Sequence, residues 1–226
     1  MAALTVAAML LFTALGIWQV ERRAWKLDLI ARVDARIKGQ PEPLPPPASW
    51  PAIGPDDAYR RIRVRGTFHH DAETLVQAVT GRGPGYWVVT PLVTASGTVL
   101  VNRGFVPPDR RAPSTRAAGA AKDPVTVTGL LRITEPGGGF LRANDPGADR
   151  WYSRDVQAIA RNRHFGPIAP FFIDADATPN RSGYPVGGLT VVAFPNSHLS
   201  YALTWFTLAL LSGAATWLVL RPEKEG

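Results

Sequence analysis

Two uncharged apolar runs, one at each end, constrain this chain more than any other feature. Ala2 to Val20 (AALTVAAMLLFTALGIWQV) carries no charge, and neither does Leu199 to Leu220. As helices they rise about 28 Å and about 33 Å, close to the ~30 Å of a bilayer core. The reading is a transmembrane helix over residues 1–20 and a second over 196–220. A cleaved signal peptide is the rival for the first run. It is disfavoured because no basic residue precedes the run, the run is long, and it ends in Trp18-Gln19, where a cleavage site has small residues. Trp18 and Trp25 flank its exit, as interfacial aromatics do. The second run opens at Pro195-Asn196-Ser197-His198 and stops at Arg221-Pro222, followed by a tail over 221–226. Asn196 or Ser197 can cap its first turn, whose N–H groups have no partner within the helix. His198 is the one ionisable side chain at its mouth.

Two spanning helices put both termini on one side of the membrane and the connecting residues on the other. Those connecting residues, 21–197, hold the whole net charge of +7, with 23 Lys and Arg against 16 Asp and Glu. A basic domain tied to a membrane faces anionic lipid or an acidic partner. The arginines are scattered and form no nucleic-acid motif, so nucleic acid is not an expected partner. Cysteine is absent, which excludes c-type haem attachment, thiolate metal sites and a disulfide framework. Arg22, Arg23 and Lys26 follow the first run and nothing basic precedes it. Alone, this would put the domain in the cytoplasm, but long loops translocate despite their charge. Orientation therefore does not follow from the charges.

Between the runs the pattern changes several times. Residues 24–38 have helical spacing and either continue the first helix, lie on the membrane surface or pack on the domain. Gly39 to Pro55 has seven prolines and reads as an extended spacer, with an ordered arm around the domain as the alternative. The juxtamembrane helix and linker thus cover 21–58. From Tyr59 the period becomes two. Strands are expected over Ile62–Phe68, Thr74–Val79, Tyr86–Val93, Thr98–Asn102, Val125–Ile133, Trp151–Arg154, Phe171–Asp174 and Leu189–Phe194. A hairpin turns at Thr94-Ala95-Ser96-Gly97. Val106–Pro124 reads as a long polar loop and Glu135–Asp149 as a glycine-rich one. Asp155 caps a short helix to Arg163. Val64-Arg65-Gly66 and Val125-Thr126-Val127-Thr128-Gly129 echo each other, a hint of related hairpins. The expected architecture is two terminal transmembrane α-helices flanking an extramembrane β-rich domain, barrel or sandwich, over 59–195 with one short helix.

Four blocks then carry a resemblance. They are Leu15-Gly16-Ile17-Trp18-Gln19-Val20 with Arg22, Arg23 and Lys26; Gly85-Tyr86-Trp87-Val88-Val89-Thr90-Pro91-Leu92 followed by Val99-Leu100-Val101-Asn102-Arg103-Gly104-Phe105-Val106-Pro107; Asn144-Asp145-Pro146 through Trp151-Tyr152-Ser153-Arg154-Asp155; and Asn196-Ser197-His198-Leu199-Ser200-Tyr201-Ala202-Leu203-Thr204-Trp205-Phe206. In this order, between two apolar ends, they resemble the Surf1/Shy1 family of cytochrome c oxidase assembly proteins. The resemblance implies a non-enzymatic factor of the respiratory chain that assists maturation of oxidase subunit I. It implies haem a as transient cargo, with the second-helix histidine, here His198, as the implicated residue. It also implies a bacterial inner-membrane location, with the central domain in the periplasm and both termini cytoplasmic. Expected partners are oxidase subunit I, haem a synthase and membrane lipid.

The residues can be weighed for that chemistry. Neutral imidazole is a common haem-iron ligand. His198, Tyr201, Ala202 and Trp205 share one helix face by three- and four-residue spacing. Small Ala202 leaves room beside a porphyrin on which Trp205 can stack. The exit of the first helix and the start of the second share a leaflet, so Trp18, Gln19, Arg22, Arg23 and Trp25 lie near the depth of His198. Arg22 or Arg23 presents a planar donor fork suited to haem propionates. The candidate cofactor-binding residues are His198, Tyr201, Trp205, Trp18 and Arg22, with His198 the iron ligand. The alternative is that these are interfacial anchors. Met9 is too deep to serve as a second axial ligand. His69 and His70 read as exposed turn residues. Asn102-Arg103-Gly104, just past a strand, is either a partner contact or an arginine satisfying buried carbonyls. No acid, base and nucleophile assemble into a catalytic set. The Gly81–Gly85 loop is broken by proline and does not suit a phosphate. Ser197 and Ser200 lack a nucleophile elbow. The competing function is a scaffold that holds assembly intermediates through its basic domain without touching haem.

Overall fold

The structure is a computed structural model that describes residues 1–120, 122–180 and 183–221. It divides into two compact units. One comprises Met1–Asp34 and Val192–Gly226, the other Ala35–Val191. The expected tail at 221–226 lies, apart from Arg221, outside the described residues.

In the first unit the apolar ends are two long helices, α1 (Ala2–Lys38) and α3 (His198–Leu220). Both are long and apolar enough to cross a membrane. At 1.5 Å per residue α1 extends about 55 Å. Residues 24–38 thus continue the first helix. The two helices run antiparallel in contact along their length. Gln19 meets His198, Phe12 stacks on Trp205, and the Thr216 hydroxyl donates to that of Thr5 at 2.7 Å. Close approach rests on small residues. A Cβ on Gly16 would fall 2.5 Å from the Phe206 ring, and Ala202 and Ala209 are buried on α3. Small residues at such contacts let backbones approach where lipid offers no hydrophobic gain from association.

The second unit is a β-barrel with one helix on its wall. Its strands are β1 (Glu42–Pro43), β2 (Arg61–Phe68), β3 (Thr74–Thr80), β4 (Gly83–Thr94), β5 (Gly97–Val106), β6 (Val125–Ile133), the small hairpin β7 (Gly138–Gly139) and β8 (Arg142–Ala143), and β9 (Ile168–Ala175). The order is β1-β2-β6-β9-β5-β4-β3, and an extra β2–β4 pairing closes a five-stranded ring. β4 serves two neighbours on one side, because its first half pairs with β3 and its far end with β2. A register shift between Trp87 and Val89 bends it there, as bulges do.

Period two along the strands sorts the core into an inside and an outside. Ile62, Val64, Leu92, Val99, Val101, Leu131, Ala169, Phe171 and Ile173 fill the ring interior. The intervening Leu100, Ile168 and Phe172 face outward. There Trp151 and the short helix α2 (Val156–Asn162) cover them with Val156, Ile159 and Ala160. Asp155 caps α2 by accepting from the Ala158 N–H at 3.0 Å, as its position before the helix suggests.

Five readings are corrected or refined. The proline-rich stretch is an ordered arm rather than a free spacer: β1 pairs with β2, Leu44 is buried, and Trp50 joins the barrel core with its Nε1 donating to the Pro45 carbonyl. Leu189–Phe194 forms no strand. β9 has β6 on one side and β5 on the other, so that part of the sheet has no free edge. Trp151–Arg154 supplies one bridge, Val76 to Trp151, and Trp151 is spent on the core instead. The two echoing Val-x-Gly segments are each other's antiparallel partners, with Gly66 opposite Val125 and Ile62 opposite Gly129. The loop at Val106–Pro124 holds 3-10 turns at Pro108–Arg110 and Pro113–Gly119.

Candidate functional site

His198 is the first residue of α3, and its N–H faces the Asn196 carboxamide oxygen at 3.4 Å. Ser197 holds the cap position without a side-chain cap bond. The imidazole is half-buried, and its Nδ1 lies 2.7 Å from Gln19 Oε1 on α1. A carboxamide oxygen accepts, so Nδ1 carries the hydrogen and donates. In the neutral ring Nε2 then keeps its lone pair. Ligating histidines are characteristically held this way, with one nitrogen anchored to an acceptor and the other left for the metal. Gln19 is itself only 8% exposed, so the anchor is fixed. The sequence spacing could not reveal this pair, since 179 residues separate its members.

The other expected site residues divide. Trp205 is half-buried and already stacked on Phe12, with ring centroids 5.7 Å apart and planes at 25°. Tyr201 and Trp18 are exposed. Arg22 shares the Gln19 face of α1 by three-residue spacing, but its guanidinium lies 3.9 Å over the Trp25 ring. Ala202 is buried. Lys26 lies over the Phe194 ring at this same end of the helix pair. Met9 sits ten residues before Gln19, about 15 Å along α1, and packs near Gly213.

The chemistry-bearing blocks of the barrel domain turn inward. Asp174 on β9 is a buried hub. Its carboxylate accepts from Asn102 Nδ2 (2.7 Å), Arg132 Nη1 (2.9 Å), Arg154 Nη1 (3.1 Å) and Thr190 Oγ1 (3.0 Å). Burial pushes the Glu135 carboxyl up, but hydrogen bonds and charge from Arg154 prevail and hold it below the usual value. Arg154 feels the reverse balance: burial lowers it, and Glu135 with Asp174 more than offsets this. Asn144 receives the N–H groups of Tyr152 and Ser153. These blocks therefore close the fold.

Asn102-Arg103-Gly104 lies within β5 rather than past its end. Arg103 is buried and donates to the Gly119 carbonyl at 2.7 Å, which is the carbonyl-satisfying reading. His70 is half-buried with its Nδ1 3.2 Å from Arg103 Nη1, so it is more than an exposed turn residue; His69 is exposed. His164 stands just past α2 with φ 56°.

A closed β-barrel whose sequence lies between those of two long apolar helices, with a carboxamide-anchored histidine in the helix pair, defines the class of this protein. The chain belongs to the SURF1 family, whose profile matches residues 6–210. It is 38% identical to surfeit locus protein 1 of Homo sapiens over 94% of this chain and 74% of that protein. It is 38% identical to the Rattus norvegicus protein of the same name over 86% of this chain and 67% of that one. A SURF1-like protein of Monosiga brevicollis is 37% identical over 92% and 82%.

Proposed function

We propose that this protein is a non-enzymatic assembly factor for a haem-copper oxidase, holding haem a and presenting it to subunit I. The observation that carries the reading is the orientation of His198. With Gln19 Oε1 as the partner of Nδ1, Nε2 is the nitrogen left for a haem iron, which neutral imidazole binds. Haem is cargo here, and one protein ligand with a half-exposed setting suits release. Tyr201, Trp205, Trp18 and Arg22 are the further candidate haem contacts in this reading, and Arg22 would exchange its Trp25 contact for a propionate. In this reading α1 and α3 span the bacterial inner membrane, both termini are cytoplasmic and the barrel is periplasmic. Haem a synthase is the natural donor and subunit I the acceptor.

The test is a reduced-minus-oxidised spectrum of detergent-purified protein from cells that make haem a. His198→Ala should lose the haem a band. Gln19→Leu should weaken retention about 10- to 100-fold, the range for loss of an outer-shell partner. Equal haem in wild type and His198→Ala would sink direct ligation. A scaffold that binds assembly intermediates through the basic domain would then be the better account.

A further inference from the structure

Among the described residues of the barrel domain, Arg103 is a buried arginine that forms no ion pair. Arg103 is 6% exposed. Its direct contacts are the Gly119 carbonyl, the His70 ring, and the Phe68 face 5.0 Å from its guanidinium. Among the described residues no carboxylate forms an ion pair with it. The nearby buried Glu73 gives both its oxygens to Arg116. Arg116, Arg132 and Arg154, the other arginines deep in this domain, each have a carboxylate. A buried charge without a counter-charge is costly, and burial lowers Arg103 to about 10.

Arg103 also lines a cleft of about 530 Å³. Phe68, Val125, Val127 and Ala175 give the cleft an apolar wall, and exposed Lys122 adds a second cation at its rim. Two acids line it as well. Asp123 is exposed, and Asp176 receives the Thr178 N–H and hydroxyl. The volume falls within the range of small-ligand sites, roughly 300–1,000 Å³.

We propose that this cleft binds a ligand with an apolar body and a carboxylate, and that the carboxylate pairs with Arg103. A guanidinium has five N–H donors in a planar fork. Two are engaged by Gly119 and His70, which leaves donors for an incoming carboxylate. The same chemistry is offered by a small organic acid and by the free C-terminus of an apolar peptide.

The full chain in lipid nanodiscs is titrated calorimetrically, against empty nanodiscs, with benzoate and with its neutral analogue benzamide. An apolar tetrapeptide with a free C-terminal carboxylate is compared with its amide. Benzoate should bind saturably, and benzamide at least about tenfold more weakly, as expected from losing a hydrogen-bonded charge. Tight binding of the peptide acid identifies a peptide terminus as the source, and binding of benzoate alone a small molecule. Arg103→Gln should abolish the preference for the acid. Because that variant can fail to fold, Lys122→Glu at the exposed rim serves as the second. It should weaken benzoate several-fold and leave benzamide unchanged. Equal binding of acid and amide, or no saturable binding of either acid, overturns the proposal.

Discussion

Replacing Asp174 by alanine tests whether the barrel is closed by charge as well as by apolar packing. The carboxylate is 3% exposed and receives four side chains from β5, β6, the 152–154 segment and Thr190. Its removal leaves the Arg132 and Arg154 guanidinium groups, with side chains 19% and 13% exposed, short of a counter-charge. Removing one partner of a buried pair costs about 3–5 kcal/mol. Glu135 still reaches both arginines, so the lower end, about 3 kcal/mol, is expected. At about 2–4 °C per kcal/mol for a domain of this size, Tm should fall by about 6–12 °C. Asp174→Asn keeps shape and loses charge, and should fall in between. The assay is thermal unfolding of the detergent-solubilised chain by near-ultraviolet circular dichroism, where Trp50, Trp87 and Trp151 report the domain. A cycle with Arg132→Met should return a coupling of about 0.5–3 kcal/mol. A Tm drop under about 3 °C for Asp174→Ala would refute the reasoning, because water would then be serving the two arginines.

Gly104 has φ 127°, and a Cβ there would meet the Val186 carbonyl at 2.2 Å; Gly104→Ala should cost about 3 kcal/mol or more, read as a shift in denaturation midpoint. Glu135, held below its ordinary 4.5, contributes stability that is present above that value and lost as pH falls through its lower folded value. Glu135→Gln should therefore flatten the acid limb of a Tm-against-pH curve below about pH 4.5, and an unchanged limb would count against the Arg154 pairing. The chain has no cysteine, so Thr5→Cys with Thr216→Cys should give a single intramolecular disulfide on oxidation, seen as a gel shift. Failure to cross-link would contradict the helix pairing.

The apolar ends, the period-two strands and the Asp155 cap were legible because each is a local pattern. The barrel arm was not, because Leu44 and Trp50 gain burial only from a core assembled by residues up to 130 positions later. Leu189–Phe194 has strand composition, yet both sides of β9 are already occupied, and edge availability is a property of the whole sheet. For Arg103 the partner-contact and carbonyl-satisfying readings stay level until the 113–119 turn, itself read as loop, supplies the Gly119 carbonyl. At the helix pair, His198 could be singled out from its place at the head of an apolar run. Gln19 could only be placed near its depth, since contact depends on the rotation of α1 set by packing at Gly16 and Phe206.

The position of β9 has a consequence for synthesis. The strand that joins β5 to β6 is the last of the ring to leave the ribosome, so β5 and β6 wait with unpaired edges while some 35 residues are added after β6. Exposed edges recruit other chains, and contacts this distant in sequence form slowly. A chain cut short before residue 168 keeps most of the apolar barrel sequence and the β2–β4 pairing, but lacks the strand that completes the ring. Such fragments should aggregate or be degraded rather than persist as partly active protein, and nonsense changes late in the coding sequence should be as damaging as early ones.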